Sequence, residues 1–351
     1  MIACPPMLLG LCLPLLAPAL DGPVIILPET ATGAAALPQT VTFDPVDVAR
    51  AAGMEGVEFS HPGVVAADGG AVLSQVTAHP EGTVTVAFVP LPGVYRYLLT
   101  PTAPAAEPVY LADAVTVEET DESIVVSNAY YRVTHPKREN GGLPSVIEFI
   151  DSGKRLDAFL INDRVYSATS GGHLLREDPA PEVRVLGEGP LAAVVEVQSR
   201  YGGGGAPGAP RATYRFHYFR GTPGIAVEAD VTQAGSTSWA ELHLLEVNDQ
   251  SGAFTGWVGG GTDQEGELTA SGQSYAGNPW GAIIDGPNVL GIVCPGGVRI
   301  HDGHGEYGTY VHGPWVSWSG AKERLNATLW VSAAEGALGD LAAATASTAT
   351  V

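Results

Sequence analysis

Lysine is nearly missing from this chain. Only Lys137, Lys154 and Lys322 occur among 351 residues, and with the arginines they make 17 basic residues against 38 acidic ones, a formal charge of −21. Polyanion binding needs clustered Lys and Arg, so nucleic acid is excluded as a natural partner. Charge of either sign is scarce: Asp, Glu, Lys and Arg make up 16% of the chain, against about a quarter in ordinary globular domains. After the first twenty residues no stretch approaches the ~18 apolar residues of a membrane-spanning helix, so no membrane span is expected. There is also no P-loop, no dinucleotide fingerprint after a strand and no Gly-x-Ser-x-Gly elbow, which leaves nucleotide and serine-hydrolase chemistry without a basis.

Cysteine is the next scarcity. Cys4 and Cys12 fall in residues 1–22, where the apolar run Met7–Leu16 and the following Ala17-Pro18-Ala19 fit a secretory signal that lacks a positive n-region. Removal of that segment leaves Cys294 alone, so no intrachain disulfide is expected and the exported protein must rely on its core. Cys294 ends the apolar run Val289–Cys294, the setting of a buried structural thiol. The expected location is therefore secreted, periplasmic or at the cell surface.

Glycine and proline are abundant instead, 45 and 27 residues. They punctuate segments of period two rich in β-branched and aromatic residues, which read as strands joined by turns. The clearest are 84–89, 94–99, 123–127, 131–135, 145–150, 181–186, 191–201, 211–219, 224–232, 239–247, 289–294 and 326–331. Helix is expected at Pro45–Ala52, before Gly53, with weaker candidates at Leu156–Ile161 and in the Ala-rich tail. Strand following strand predicts an all-β chain of antiparallel sandwiches rather than βαβ units. A Pro-rich boundary at Thr100–Pro108 divides it into a small β-sandwich over 40–115 and one large two-sheet unit over 116–345.

Three segments carry residue types that do chemistry. In Arg211–Phe219, alternation places Arg211, Thr213, Arg215 and His217 on one face and Tyr214, Phe216 and Tyr218 on the other. With Arg200 before it, Arg220 after it and no acid from 197 to 227, this is a positive patch whose guanidinium groups suit a carboxylate. The alternative is a solvated face paired with Glu196, Glu228 and Glu241. In Trp239–Val247 the same alternation groups Trp239, Glu241 and His243, a stacking ring beside two proton-moving groups; here too Glu241 could instead pair with an Arg of the preceding strand. Tyr131, Arg132 and His135 supply a third set, of the types β-elimination uses: a cation for the uronate carboxylate, a base and an acid. The segment His301–His312 gathers three histidines and two acids, but no fixed ligand spacing supports a zinc or calcium site. No cofactor is expected. Tyr310 and Trp315 offer platforms for a sugar ring or serve as core.

The order Ile124–Val133, then Gly141–Phe149, then Tyr214–Glu228 resembles the galactose-mutarotase-like super-sandwich. The preceding Val41–Asp44, Ala51–Gly53, Gln75 and Leu91–Tyr97 look like the small β domain that opens exo-rhamnogalacturonan-lyase-like proteins. The resemblance implies a large antiparallel super-sandwich, a polysaccharide or oligosaccharide partner and lyase chemistry. Such lyases usually add an α/α toroid, which this chain lacks. Either the sandwich itself carries a site, or the chain is a binding or structural module whose catalytic domain lies elsewhere. The expected function is recognition of a uronate-containing polysaccharide, with β-elimination where catalysis occurs. Expected catalytic residues are His217, His243, Glu241, Tyr131 and His135; expected ligand contacts are Arg211, Arg215, Arg220, Trp239, Tyr310 and Trp315.

Overall fold

The computed structural model describes residues 23–26, 39–102 and 114–344, apart from residues 60, 68, 71, 92, 93, 95, 262, 263 and 304–307. The expected leader, most of the Pro-rich boundary, and His304, Glu306 and Tyr307 lie outside the described residues.

Alternating β-branched and aromatic residues form strands wherever a second strand covers their apolar face. Residues 23–102 make two three-stranded sheets around Ile25, Val64, Val86, Phe88, Tyr97 and Leu99. The helix Pro45–Ala51 closes one side. Asp44 caps it by accepting from the Val46 and Asp47 N–H groups at 2.8 and 3.2 Å, and Pro45 sits at the helix start, where no N–H is needed.

From Val115 onward the chain builds a two-layer antiparallel sandwich. One layer is a nine-stranded sheet in the order Glu182–Glu188, Ala192–Arg200, Arg211–Phe219, Gly224–Thr232, Lys322–Ser332, Asn288–Val293, Trp280–Asp285, Gly256–Gly259 and Gln264–Glu267. Three shorter sheets of five, five and four strands face it. Between the layers lie Val195, Val197, Tyr214, Phe216 and Tyr218 from the long sheet and Val165, Leu242, Val247, Ile300 and Val311 from the shorter ones. At roughly 2 kcal/mol for each fully buried large apolar side chain, this core dominates the folding energy. The architecture is all-β, as the period-two pattern predicts, with two α-helices and three short 3-10 turns among the described residues. Leu156–Ile161 differs from its expected helix: it forms the strands Arg155–Leu156 and Phe159–Ile161, because Leu156 pairs with Ile147 and Phe159 with Asp249.

The small region packs on the outer side of the nine-stranded sheet. The Gln75 amide donates to the Ala192 carbonyl at 2.7 Å, and its carbonyl oxygen accepts from the Ala192 N–H at 3.1 Å. Two glycines permit this approach: a Cβ on Gly187 would stand 2.7 Å from Thr77 Oγ1, and one on Gly189 2.5 Å from Gln75 Oε1.

Candidate functional site

The strongest concentration of polar chemistry stands on the outer face of the shorter sheets. Val165, Leu242, Val247, Ile300 and Val311 point into the core. Strict alternation therefore turns Arg164, Glu241, His243, Glu246, Arg299, Tyr310 and His312 the other way. Register then gathers them: Arg164 lies opposite His243 and His243 opposite Trp315, while Glu246 lies opposite His312 and His312 opposite Arg299.

A kink completes the arrangement. Segment Trp239–Val247, expected as one strand, is two, Trp239–His243 and Glu246–Asp249, joined through Leu245 at φ 54°. That value is unfavourable for a branched side chain and persists only where the surroundings impose it. Asp163 imposes it. Its buried carboxylate accepts from the Leu245 and Glu246 N–H groups at 2.9 and 2.8 Å and from the Tyr214 hydroxyl of the opposite layer. Burial pushes the Asp163 carboxyl up to about 6 against the pull of these donors.

The kink brings His243 onto Glu246. The His243 Nδ1–H donates to Glu246 Oε2 at 2.9 Å, because a carboxylate only accepts, and Nε2 lies 3.4 Å from the Arg164 guanidinium and 3.5 Å from Glu241. Arg164 lies 3.6 Å from Glu241 and 3.5 Å from Glu246. Burial works to raise the Glu246 carboxyl, but His243, Asn162 and Arg164 together hold it below its ordinary value. His243 stacks on His312 with ring centres 5.2 Å apart and is covered by Trp315 at 4.6 Å. His312 donates from Nδ1 to the Gly313 carbonyl at 2.8 Å, whereas its buried Nε2 has no partner among the described residues. Burial, then the neighbouring His243, pushes His312 down to about 4. Burial, then the Glu246 charge, pushes the Tyr310 hydroxyl up to about 12.

What reaches solvent is different. Trp315 is 42% exposed, and the exposed Arg299 lies over its ring at 5.0 Å. Arg299 has no carboxylate partner among the described residues; Arg164 and Glu241 are half-buried beside His243, which the ring covers. The face thus presents a flat ring, a free guanidinium and a paired Arg and Glu, backed by a buried imidazole–carboxylate pair.

Among the expected site residues, Glu241, His243, Tyr310 and Trp315 meet here. Trp239 does not. A bulge between Trp239 and Leu242 turns the indole inward, where it is 1% exposed and donates to Gln233 Oε1 at 3.0 Å. Tyr131 and His135 are corrected to core residues, both fully buried: Val133 shares their face, and His135 lies 2.5 Å from the Tyr218 hydroxyl. Burial holds His135 down at about 4, against the Gly142 carbonyl. His217 is buried under the small region, 3.7 Å from Glu228, and neither ring nitrogen has a hydrogen-bond partner among the described residues. Burial, then Arg215, lowers it to about 4. Arg215 pairs with Glu196 at 3.0 Å and with Glu81 of the small region at 2.7 Å. Arg211 is exposed at one end of its strand, and Arg220 follows the other end, its N–H held by the Leu191 carbonyl. These cations are spread over about 30 Å of extended chain and do not converge. Arg164 and Arg299 went unmarked in the sequence, His312 was weighed only within the metal question of His301–His312, and Glu246 falls on the opposite face from His243 when Trp239–Val247 is read as one unbroken strand. A hollow of about 630 Å³ in the small region is lined by Val46, Ala49, Val57 and Phe59 together with Arg50, Glu55 and Glu58.

The fold defines a two-layer antiparallel β-sandwich preceded by a small β region. Two solved chains share it: an alpha-mannosidase from Enterococcus faecalis V583, with TM-score 0.60, 11% identity and 94% of this chain covered, and a protein in glycosyl hydrolase family 38 from Enterococcus faecalis, with TM-score 0.57, 11% identity and 95% covered. This chain spans about half of each, 46% and 47%. A galactose mutarotase-like protein from Lactobacillus casei ATCC 334 aligns over 60% of this chain and 99% of its own, at TM-score 0.37 and 11% identity. No family profile and no curated protein matches the chain. No helix among the described residues is long and apolar enough to cross a membrane.

Proposed function

We propose that this chain is an exported carbohydrate-recognition module of a larger carbohydrate-active protein, and that it binds an acidic sugar residue on the outer face of the shorter sheets. The observation that carries the reading is Trp315, an exposed ring with the Arg299 guanidinium over it, which covers a His243 flanked by the Arg164–Glu241 pair. A pyranose stacks on an aromatic face. Arg299 then meets a uronate carboxylate with two parallel hydrogen bonds, and Glu241 accepts from ring hydroxyls. Two large carbohydrate-active chains share the fold over half their length, which supports the sugar context by analogy of fold. The apolar run in residues 1–22 supports export.

β-Elimination finds less support. It needs a base within reach of the sugar C5 proton, but His243 and His312 are buried and the Tyr310 hydroxyl is pushed up to about 12.

Retention on immobilised polygalacturonate, run with an assay for unsaturated product, tests both parts. Retention without product is expected, and Trp315→Ala should weaken it about tenfold, the equivalent of one ring contact. Unchanged retention by the variant overturns the assignment; product formation restores the lyase reading.

A further inference from the structure

The outer side of the nine-stranded sheet holds a second cluster of cations that the carbohydrate face does not use. Arg200 lies directly opposite Arg211, Arg211 opposite Thr232, and Thr232 opposite Lys322, so three cations share one rung on one face. The next rung carries Gln198, Thr213, Asp230 and Arg324. A cleft of about 210 Å³ opens here, lined among others by Asp178, Glu182, Gln198, Arg200, Arg211 and Thr213.

The acids nearby are largely committed. Asp230 serves Lys322 at 3.0 Å and Arg324 at 2.8 Å. Asp178 is 6% exposed and accepts from the Arg200 N–H at 2.7 Å, the Ala180 N–H at 3.1 Å and the Ser199 hydroxyl at 3.3 Å. The Arg200 and Arg211 guanidinium groups have no carboxylate partner among the described residues, whereas Arg215, farther along the strand, has two. Like charges directly opposite on neighbouring strands destabilise a sheet. On a chain of formal charge −21, so many acids make such an unneutralised pair stand out.

We propose that Arg200 and Arg211 form an anion site that takes a single carboxylate or sulfate group carried on a sugar ring. Two guanidinium forks offer four or more donors to one oxyanion, and the Thr213 hydroxyl adds another. The cleft is smaller than the ~300 Å³ where drug-sized sites begin, which suits one monosaccharide. Glu182 at its edge disfavours a second negative charge. The site stands on the layer opposite Trp315 and does not depend on the reading given to that face.

Calorimetric titration in a Trp315→Ala background isolates the cleft. The probes are D-galacturonate, sodium sulfate and neutral D-galactose at low ionic strength. The first is expected to bind and the last not to. Sulfate binding as tightly as galacturonate means that the site reads the anion alone, and weaker sulfate binding means that the ring contributes as well. Arg200→Ala/Arg211→Ala should lose at least tenfold of the galacturonate affinity. The same variant without ligand should melt about 1–2 °C higher, because like-charge repulsion is relieved. Galacturonate affinity that is absent in the parent or unchanged in the double variant overturns the proposal, as does a lowered melting temperature with binding retained.

Discussion

Trp239 and Trp315 stand on neighbouring strands of one sheet, and their substitution should separate structure from recognition. Trp239 is 1% exposed and hydrogen-bonded to Gln233, so Trp239→Ala removes packing and leaves a cavity. A loss of about 3–5 kcal/mol in urea unfolding is expected. Trp315→Ala should cost under about 1 kcal/mol, because its ring is 42% exposed, while sugar retention falls. Equal losses from the two would remove the distinction. Glu246→Gln keeps the shape but takes the charge from a carboxylate that is 1% exposed and holds His243, Asn162 and Arg164. A loss of about 2 kcal/mol is expected, the worth of a charge-assisted bond; an unchanged unfolding midpoint would show that the network is slack. In the sequence these residues looked alike. Period two tells which residues share a face, but not which face is buried, and the bulge before Leu242 breaks even that rule for Trp239.

At the level of elements, the segment Arg211–Phe219 was legible in its strand and its core face, where Tyr214, Phe216 and Tyr218 enter as alternation requires, but the burial of His217 and the pairing of Arg215 with Glu81 depend on the small region that packs over it. Segment Trp239–Val247 was not legible as two strands, because its break at Leu245 is held by Asp163, far away in sequence. No local signal marks a positive φ on a leucine. The candidate site follows the same division. Half its residues were visible as polar positions in strands, but convergence depends on the register of separate strands that only tertiary pairing sets. Asp163→Asn tests the kink as a unit. An amide can accept from only one of the two N–H groups while its own NH2 faces the other, so about 2–3 kcal/mol of stability should go. The His243–Glu246 contact should loosen with it, read as a shifted His243 imidazole resonance. Resonance shifts confined to position 163 would show that the kink persists without the carboxylate.

For the molecule as a whole, composition made the all-β class and the acidic charge plain, while the placement of titratable groups inside the sandwich was out of reach. That placement sets the response to pH. His135, His217 and His312 each have a folded pKa of about 4 against an ordinary 6.5, chiefly through burial. Below pH 6.5 the unfolded chain takes up protons that the folded chain refuses, so stability is complete above that value and drains away as pH falls toward 4. Asp163 works in the opposite sense. Its folded pKa of about 6 lies above the ordinary 3.8, so its protonation favours the folded state as pH falls between those values. Burial raises the Glu228 carboxyl as well, which works with Asp163, and lowers His79, which works with the other imidazoles; with His135, His217 and His312 each worth about 3 kcal/mol if fully expressed, the histidines prevail. At still lower pH Asp302, whose folded pKa its Ser271 and backbone donors hold near 2 against the effect of burial, adds a loss in the same direction. The melting temperature should therefore fall steadily from pH 7 to pH 4. His217→Phe, which places a ring of similar size beside Phe219 and removes one titrating group, should make stability fall less steeply with pH, whatever it does to the value at pH 7. A flat profile over that range, or the same slope in the variant, would refute the assignment of acid sensitivity to these buried imidazoles.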